Sequence, residues 1–270
     1  MESLSQAAGK LTLKRSAEKS CYSEFTDSTR LPVIAGPCAV ESEAQIAAIA
    51  EFLSGLGVRY LRGGAYKPRT SSESFQGMGR PGLKLLHKYA QAQSMYLVTE
   101  VMDRSQIEIV TEYADILQVG SRNMFNYTLL TALGSVRKPV LLKRGMAATI
   151  DEWLCSAEYI SKGGNDQLIL CERGIRTFEP QTSHTLDLAS ICLAKQHSGL
   201  PVIADTSHAS GRPDLVTPLA AAAVAAGADG IMVELHPDPS KALSDGKQAL
   251  TFDQFEELLA RVTRIHAAIL

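Results

Sequence analysis

Five cysteines in 270 residues are too few and too scattered for a disulfide framework, and no two stand in the C-x-x-C spacing that closes a zinc knuckle. The odd count of Cys21, Cys38, Cys155, Cys171 and Cys192 suits a reducing compartment. An excess of one charge is also missing. The 27 Lys and Arg against 29 Asp and Glu leave a formal net charge of −2, which argues against a polybasic arm for nucleic acid. Long apolar runs are absent as well. Glu2, Lys10, Lys14 and Arg15 interrupt any signal-peptide core, and the alanine-rich stretch from Leu219 is cut by Gly227 and Asp229 before it reaches bilayer length. The expectation is a cytoplasmic protein that binds neither nucleic acid nor membrane.

What the chain does hold is a core: 45% of its residues are apolar, enough for one large domain. Short β-branched runs alternate with longer amphipathic segments, the pattern of βα units feeding a parallel sheet. The strand cores are Val33-Ile34-Ala35, Tyr60-Leu61-Arg62, Tyr96-Leu97-Val98, Ile116 to Val119, Val140-Leu141-Leu142, Leu168-Ile169-Leu170, Val202-Ile203-Ala204 and Ile231-Met232-Val233. About eight strands are what a (β/α)8 TIM barrel requires. Helices are expected over 42–56, 82–93, 126–133, 150–162, 182–196, 215–226 and 252–269. The first strand ends in Gly36-Pro37-Cys38 and lacks the glycine fingerprint of a doubly wound dinucleotide-binding sheet. We therefore expect an α/β, single-domain barrel over residues 31–270. Residues 1–30 form a short N-terminal extension in which Leu11-Thr12-Leu13 reads as a strand or half-hairpin at the barrel bottom.

In such a barrel the chemistry collects where the strands end. Following them in order are Cys38, Arg62 with Lys67-Pro68-Arg69-Thr70, Glu100, Arg122, Lys143 with Arg144, Glu172 with Arg173 and Arg176, Asp205 with His208, and Glu234 with His236. Arg62, Lys67, Arg69, Arg122, Lys143 and Arg173 converging on one mouth of a nearly neutral protein point to more than one anionic group, as in phosphorylated small molecules. Each of them alone reads equally well as a surface charge or a partner of Glu100, Glu172 or Asp205. Cys38, His208 and Glu234 lie on strands one, seven and eight, neighbours once the barrel closes, and can share a divalent cation. Asp245 reaches back from the following loop as a fourth ligand, although Asp238 lies in the same loop. Soft and hard donors together suit Mn²⁺, Fe²⁺, Co²⁺ or Zn²⁺. The competing reading is a buried core cysteine and a histidine bonded to Asp205. Cys155, Cys171, Cys192 and Trp153 are expected to be packing residues.

The strand-end segments resemble those of the 3-deoxy-D-arabino-heptulosonate 7-phosphate (DAHP) synthases. The matching stretches are Ile34 to Ser42, Leu61 to Thr70, Gln118 to Met124, Leu142 to Gly145, Leu170 to Gly174 and Asp205 to His208, within a resemblance running from about Pro32 to Leu270. It is closest to the I-beta branch, whose barrel is similar to 3-deoxy-D-manno-octulosonate 8-phosphate synthase. The resemblance implies condensation of phosphoenolpyruvate with erythrose 4-phosphate, releasing phosphate, in the first step of the shikimate pathway to chorismate and the aromatic amino acids. By motif, Cys38, His208, Glu234 and Asp245 match the ligands of one divalent metal ion. Arg122 and Arg173 match the grip on the phosphoenolpyruvate phosphate, and Arg62, Lys67 and Lys143 match its carboxylate and reacting carbons. Arg69 and Thr70 match the aldose phosphate site, and Lys67 is a candidate acid for the new alkoxide.

The sister enzyme uses arabinose 5-phosphate, and its corresponding loop resembles Lys-Ala-Asn-Arg, so Pro68-Arg69 favours the four-carbon sugar. That enzyme, a Schiff-base aldolase using Lys143, and a non-catalytic phosphometabolite-binding barrel are the alternatives. A homo-oligomer, dimer or tetramer, is implied by the resemblance alone. Regulated relatives carry an extra domain, so insensitivity to aromatic amino acids is expected unless a separate regulatory subunit acts.

Overall fold

A computed structural model describes residues 21–67 and 73–270. The Leu11-Thr12-Leu13 strand expected at the barrel bottom, together with Arg69 and Thr70, lies outside these described residues. All eight strand cores form parallel strands: β1 (Val33–Gly36), β2 (Tyr60–Arg62), β3 (Tyr96–Glu100), β4 (Ile116–Val119), β5 (Val140–Lys143), β6 (Leu168–Glu172), β7 (Val202–Asp205) and β8 (Ile231–Glu234). They pair in sequence order, and β1 closes on β8 with Gly36 opposite Glu234. The helices between them are α1 (Glu43–Gly55), α2 (Arg80–Ala92), α3 (Ile107–Tyr113), α4 (Tyr127–Leu133), α5 (Ile150–Lys162), α6 (Leu188–Ser198), α7 (Thr206–Ser210), α8 (Pro213–Ala225) and α9 (Phe252–Ile269). Among the described residues, no helix is long and apolar enough to cross a membrane.

Strand alternation divides the core in two. Leu61, Leu97, Leu117, Leu142, Leu170, Val202 and Val233 face outward into the layer shared with the helices. Ile34, Tyr60, Val98, Ile116, Leu141, Ile169, Ile203 and Met232 face inward and fill the barrel. From below, Cys21 and Phe25 of the turn before β1 pack against this inner layer, and the Tyr60 hydroxyl donates to the Cys21 carbonyl at 2.7 Å. Because side chains repeat every two residues, the next inward layer toward the strand C-termini is Gly36, Arg62, Glu100, Gln118, Lys143, Cys171, Asp205 and Glu234. On six of the eight strands this one step changes the barrel filling from apolar to polar or charged, the exceptions being Gly36 and Cys171.

Caps set where several helices begin. Ser42 accepts from Gln45 N–H ahead of α1, and reciprocal capping boxes, Thr149 with Glu152 and Thr251 with Gln254, start α5 and α9. The helix expected over 182–196 begins only at Leu188. Asp187 is its cap, accepting from Ser190 N–H, while Thr185 forms an antiparallel bridge with Ile175 and so keeps the preceding residues out of the helix. Cys155, expected to be buried filling, is exposed, because the buried stripe of α5 runs through Trp153, Ser156, Ala157 and Ile160. Trp153 does pack in the core, its Nε1 donating to the Leu142 carbonyl at 3.2 Å.

Candidate active site

At the C-terminal end of the barrel lies a cavity of about 320 Å³ whose lining includes Arg62, Lys67, Glu100, Arg122, Lys143, Arg173, His208 and Asp245. One backbone feature makes its floor feasible. Gly36 has φ +152°, and a Cβ there would sit 2.0 Å from the Arg62 carbonyl oxygen, so only glycine lets β1 and β2 approach this closely beneath the site.

On the β8–β1 side, Cys38, His208, Glu234 and Asp245 present ligand atoms all within 4.8 Å of one another. Cys38 Sγ lies 2.9 Å from Asp245 Oδ2 and 2.9 Å from Lys67 Nζ. His208 Nδ1 is 2.7 Å from Asp205 Oδ2, which leaves Nε2 facing Glu234 Oε1 at 3.3 Å. The bond to Asp205 and the approach to the cluster therefore coexist, and the carboxylate orients the imidazole as an outer partner does in metal sites. Asp245 reaches Cys38 from a left-handed backbone, φ +52°. Asp238 of the same loop instead pairs at the surface with Lys241 at 2.7 Å. A thiol, an imidazole and two carboxylates in this arrangement fit a divalent metal ion.

The electrostatics have identifiable sources. Burial, reinforced by Glu234, pushes the Cys38 thiol up to about 12. Burial would also raise Glu234, yet the charges of His208, Arg62 and Lys67 outweigh it and hold the carboxyl at about 2. Asp205 is likewise buried, and His208 and Lys143 keep it well below the usual carboxylate range. Burial favours a neutral Lys67, but Cys38 and Glu234 prevail and raise it.

The cations fall into two groups. Arg62 Nη1 donates to Glu234 Oε1 at 2.5 Å, Lys143 is ion-paired with Asp205, and Lys67 is bonded to Cys38, so these three are engaged. Arg122 and Arg173 form no ion pair among the described residues, and Arg62 Nε is buried without a hydrogen-bond partner. Arg173 is also mostly buried, which lowers its pKa. A buried guanidinium without an ion pair, as at Arg173, is a receptor for an anion, and the exposed Arg122 guanidinium lines the same cavity. Arg144 is not among them. It turns outward from the barrel and pairs with Glu172 at 2.9 Å and Asp187 at 3.0 Å.

Comparison with known proteins decides the family. Residues 23–269 match the DAHP synthetase I family. The chain belongs to that family. It is 54% identical over 237 residues to the phospho-2-dehydro-3-deoxyheptonate aldolase of Thermotoga maritima, covering 88% of this chain and 70% of the relative. It is 33% identical over 263 residues to the 2-dehydro-3-deoxyphosphooctonate aldolase of Syntrophotalea carbinolica, covering 91% and 94%. The crystal structure of the Thermotoga maritima aldolase (DAHP synthase) superimposes with a TM-score of 0.87 at 53% identity, covering 88% of this chain and 70% of that one. A truncated form of 3-deoxy-D-arabino-heptulosonate 7-phosphate synthase from the same organism gives 0.83 at 50% identity, covering 88% and 87%.

Within this DAHP synthetase I barrel, several cavity residues were not anticipated from sequence: Gln118, Ser121, Met146, Ser183, His184 and Gln248. Gln118 is the inward residue that follows Ile116 on β4, so strand periodicity alone marks it. Gln248 donates to Glu234 Oε2 at 2.7 Å from a loop without a motif, and Ser183 and His184 come from the stretch expected to be helical.

Proposed function

We propose that this chain is a DAHP synthase, condensing phosphoenolpyruvate, D-erythrose 4-phosphate and water into 3-deoxy-D-arabino-heptulosonate 7-phosphate and inorganic phosphate. The observation that carries this reading is one cavity lined by Arg122 and Arg173, which form no ion pair among the described residues, and by His208 and Asp245 of the Cys–His–Glu–Asp cluster. Phosphoenolpyruvate bears a phosphate and a carboxylate on one carbon beside its nucleophilic methylene, and so needs cations on two sides and an open face toward the aldehyde.

Arg122 and Arg173 take the phosphate, for which guanidinium forks are shaped. Arg62, Lys67 and Lys143 surround the carboxylate and the reacting carbons. Arg69 and Thr70 receive the phosphate of the four-carbon sugar. Cys38, His208, Glu234 and Asp245 would hold a divalent ion, Mn²⁺, Fe²⁺, Co²⁺ or Zn²⁺, whose chemistry when bound is Lewis-acid polarisation of the aldehyde carbonyl. C3 of phosphoenolpyruvate then bonds to the aldehyde carbon, positive character develops at C2, water adds there, and the C2–O bond breaks to release phosphate. Lys67, which keeps its proton against burial because of Cys38 and Glu234, supplies it to the new alkoxide oxygen. Arg62 and Lys143, already braced by Glu234 and Asp205, hold the enol phosphate in line, and orientation of this kind can lower a barrier by roughly 7–11 kcal/mol.

The test is phosphate release from phosphoenolpyruvate by chelator-stripped protein, given erythrose 4-phosphate or arabinose 5-phosphate, with and without Mn²⁺. Metal-dependent release with the four-carbon sugar is expected. Preference for arabinose 5-phosphate would move the enzyme to the octulosonate reaction, and silence with both sugars would reduce the barrel to a binding protein.

A further inference from the structure

The connection from β6 to α6 lays residues 183–185 along the cavity wall, fixed from both sides. Ile175 and Thr185 exchange N–H···O bonds of 3.0 and 2.9 Å, while Ser183 N donates to Ser210 O at 3.0 Å and His184 N to Ala209 O at 2.9 Å. Two left-handed glycines admit the segment. A Cβ on Gly174 (φ +86°) would meet His184 Cβ at 2.7 Å, and one on Gly211 (φ +65°) would meet Ser183 Oγ at 1.9 Å. This is a built wall, and it presents the His184 imidazole to the same cavity as Arg122, Arg173 and His208.

The His208 backbone lies beside the ring without meeting its Nδ1 in a hydrogen bond. Its Nδ1 is buried with no hydrogen-bond partner, and no described side chain bonds to the ring. An unpartnered buried N–H costs more than an unpartnered lone pair, so the proton belongs on Nε2, the nitrogen left to donate elsewhere. Two substrates could receive it, and barrel topology separates them. Arg69 and Thr70 follow β2, four strands around the ring of eight from β6, whereas Arg173 follows β6 itself.

Building on the reading of Arg122 and Arg173 as the phosphoenolpyruvate phosphate site, we propose that His184 is a further substrate-binding residue that donates Nε2–H to that phosphate. An uncharged donor there tightens the grip on the ester without adding a third positive charge to retain the phosphate once the C2–O bond has broken.

The experiment is calorimetric titration of phosphoenolpyruvate into Mn²⁺-loaded wild-type, His184→Leu and His184→Gln protein, with steady-state constants for both substrates and inorganic phosphate as a competing probe. Loss of one hydrogen bond to a charged group predicts phosphoenolpyruvate binding roughly tenfold weaker in His184→Leu. Inorganic phosphate should weaken in parallel, and KM for erythrose 4-phosphate should stay within about twofold. The glutamine amide is a donor of similar reach and should restore binding to within about threefold of wild type. Should the leucine variant fail to fold, His184→Ala is measured in its place. Wild-type affinity in the leucine variant, a shift confined to the sugar, or no rescue by glutamine overturns the assignment. A wild-type protein that does not bind phosphoenolpyruvate at all overturns the functional reading beneath it.

Discussion

Arg144→Met isolates the ion network behind the cavity wall without touching the cavity. Arg144 Nη1 donates to Glu172 Oε2 at 2.9 Å and Asp187 Oδ2 at 3.0 Å, and its Nε donates to the Ala148 carbonyl at 3.0 Å. Glu172, fully buried, also accepts from Gly174 N at 2.6 Å and Ser190 Oγ at 3.0 Å. Methionine preserves much of the side-chain length and none of the donors, so Glu172 keeps two hydrogen bonds and loses its counter-charge. Breaking a buried pair costs about 3–5 kcal/mol, and the two surviving donors place the expectation near the lower end. At roughly 2–4 °C per kcal/mol, a loss of about 3 kcal/mol lowers Tm by about 6–12 °C. Urea titration followed by Trp153 fluorescence, together with scanning calorimetry, measures both quantities. The double variant with Glu172→Gln should cost less than the sum of the singles, since the orphaned charge is then gone, with a coupling of roughly 1–3 kcal/mol. A single-variant cost below about 1 kcal/mol, or strict additivity of the pair, would refute the account of this network.

Metal uptake should displace a proton, because the Cys38 thiol sits at about 12 through burial and Glu234 and only the thiolate ligates. Calorimetry in buffers of differing ionisation enthalpy should find proton release at pH 7 that Cys38→Ser abolishes, and unchanged release in the variant would sink the idea. Glu234 gives an acid-side prediction with a definite sign. Its folded value of about 2 lies below the ordinary 4.5, so its stabilisation is complete above 4.5 and lost as pH falls toward 2. The stability gap between wild type and Glu234→Gln should therefore shrink through that window, and a constant gap contradicts the assignment. Gly120→Ala would put a Cβ 2.1 Å from Glu100 Oε1 and should turn that carboxylate within the cavity while leaving the fold intact. KM for phosphoenolpyruvate is expected to rise by several-fold with little change in Tm, and an unaltered KM would show that Glu100 has no bearing on binding.

The barrel was legible because the strands are short, mostly apolar runs, many of them β-branched, with a fixed alternation. Ile116 facing inward obliges Gln118 to do the same, and Leu141 obliges Lys143, so naming the strands nearly names the upper layer of the cavity. The metal-ligating candidates were legible for a related reason, since closure of β1 on β8 brings chain-distant Cys38 and Glu234 together. Helix α3 was missed because, unlike the equally short α4 with its Asn126 cap, it has no side-chain N-cap and is entered through a 3-10 turn at Arg104–Gln106.

What sequence could not supply was the pairing of charges and the course of the longer loops. Arg62 and Glu234 are 172 residues apart, and nothing local to either says that Arg62 pairs with Glu234 while Arg173 forms no ion pair among the described residues. The same limit hid His184. Thr182 and the residues after it satisfy a helix-start pattern, and only the bridge from Thr185 to Ile175 and the bonds to Ser210 and Ala209 override it. Those bonds depend on Gly174 and Gly211, whose left-handed conformations make room for the segment. Where a loop's conformation is set by glycines 10 and 27 residues from the side chain it presents, periodicity has no purchase, and the cavity wall has to be seen to be read.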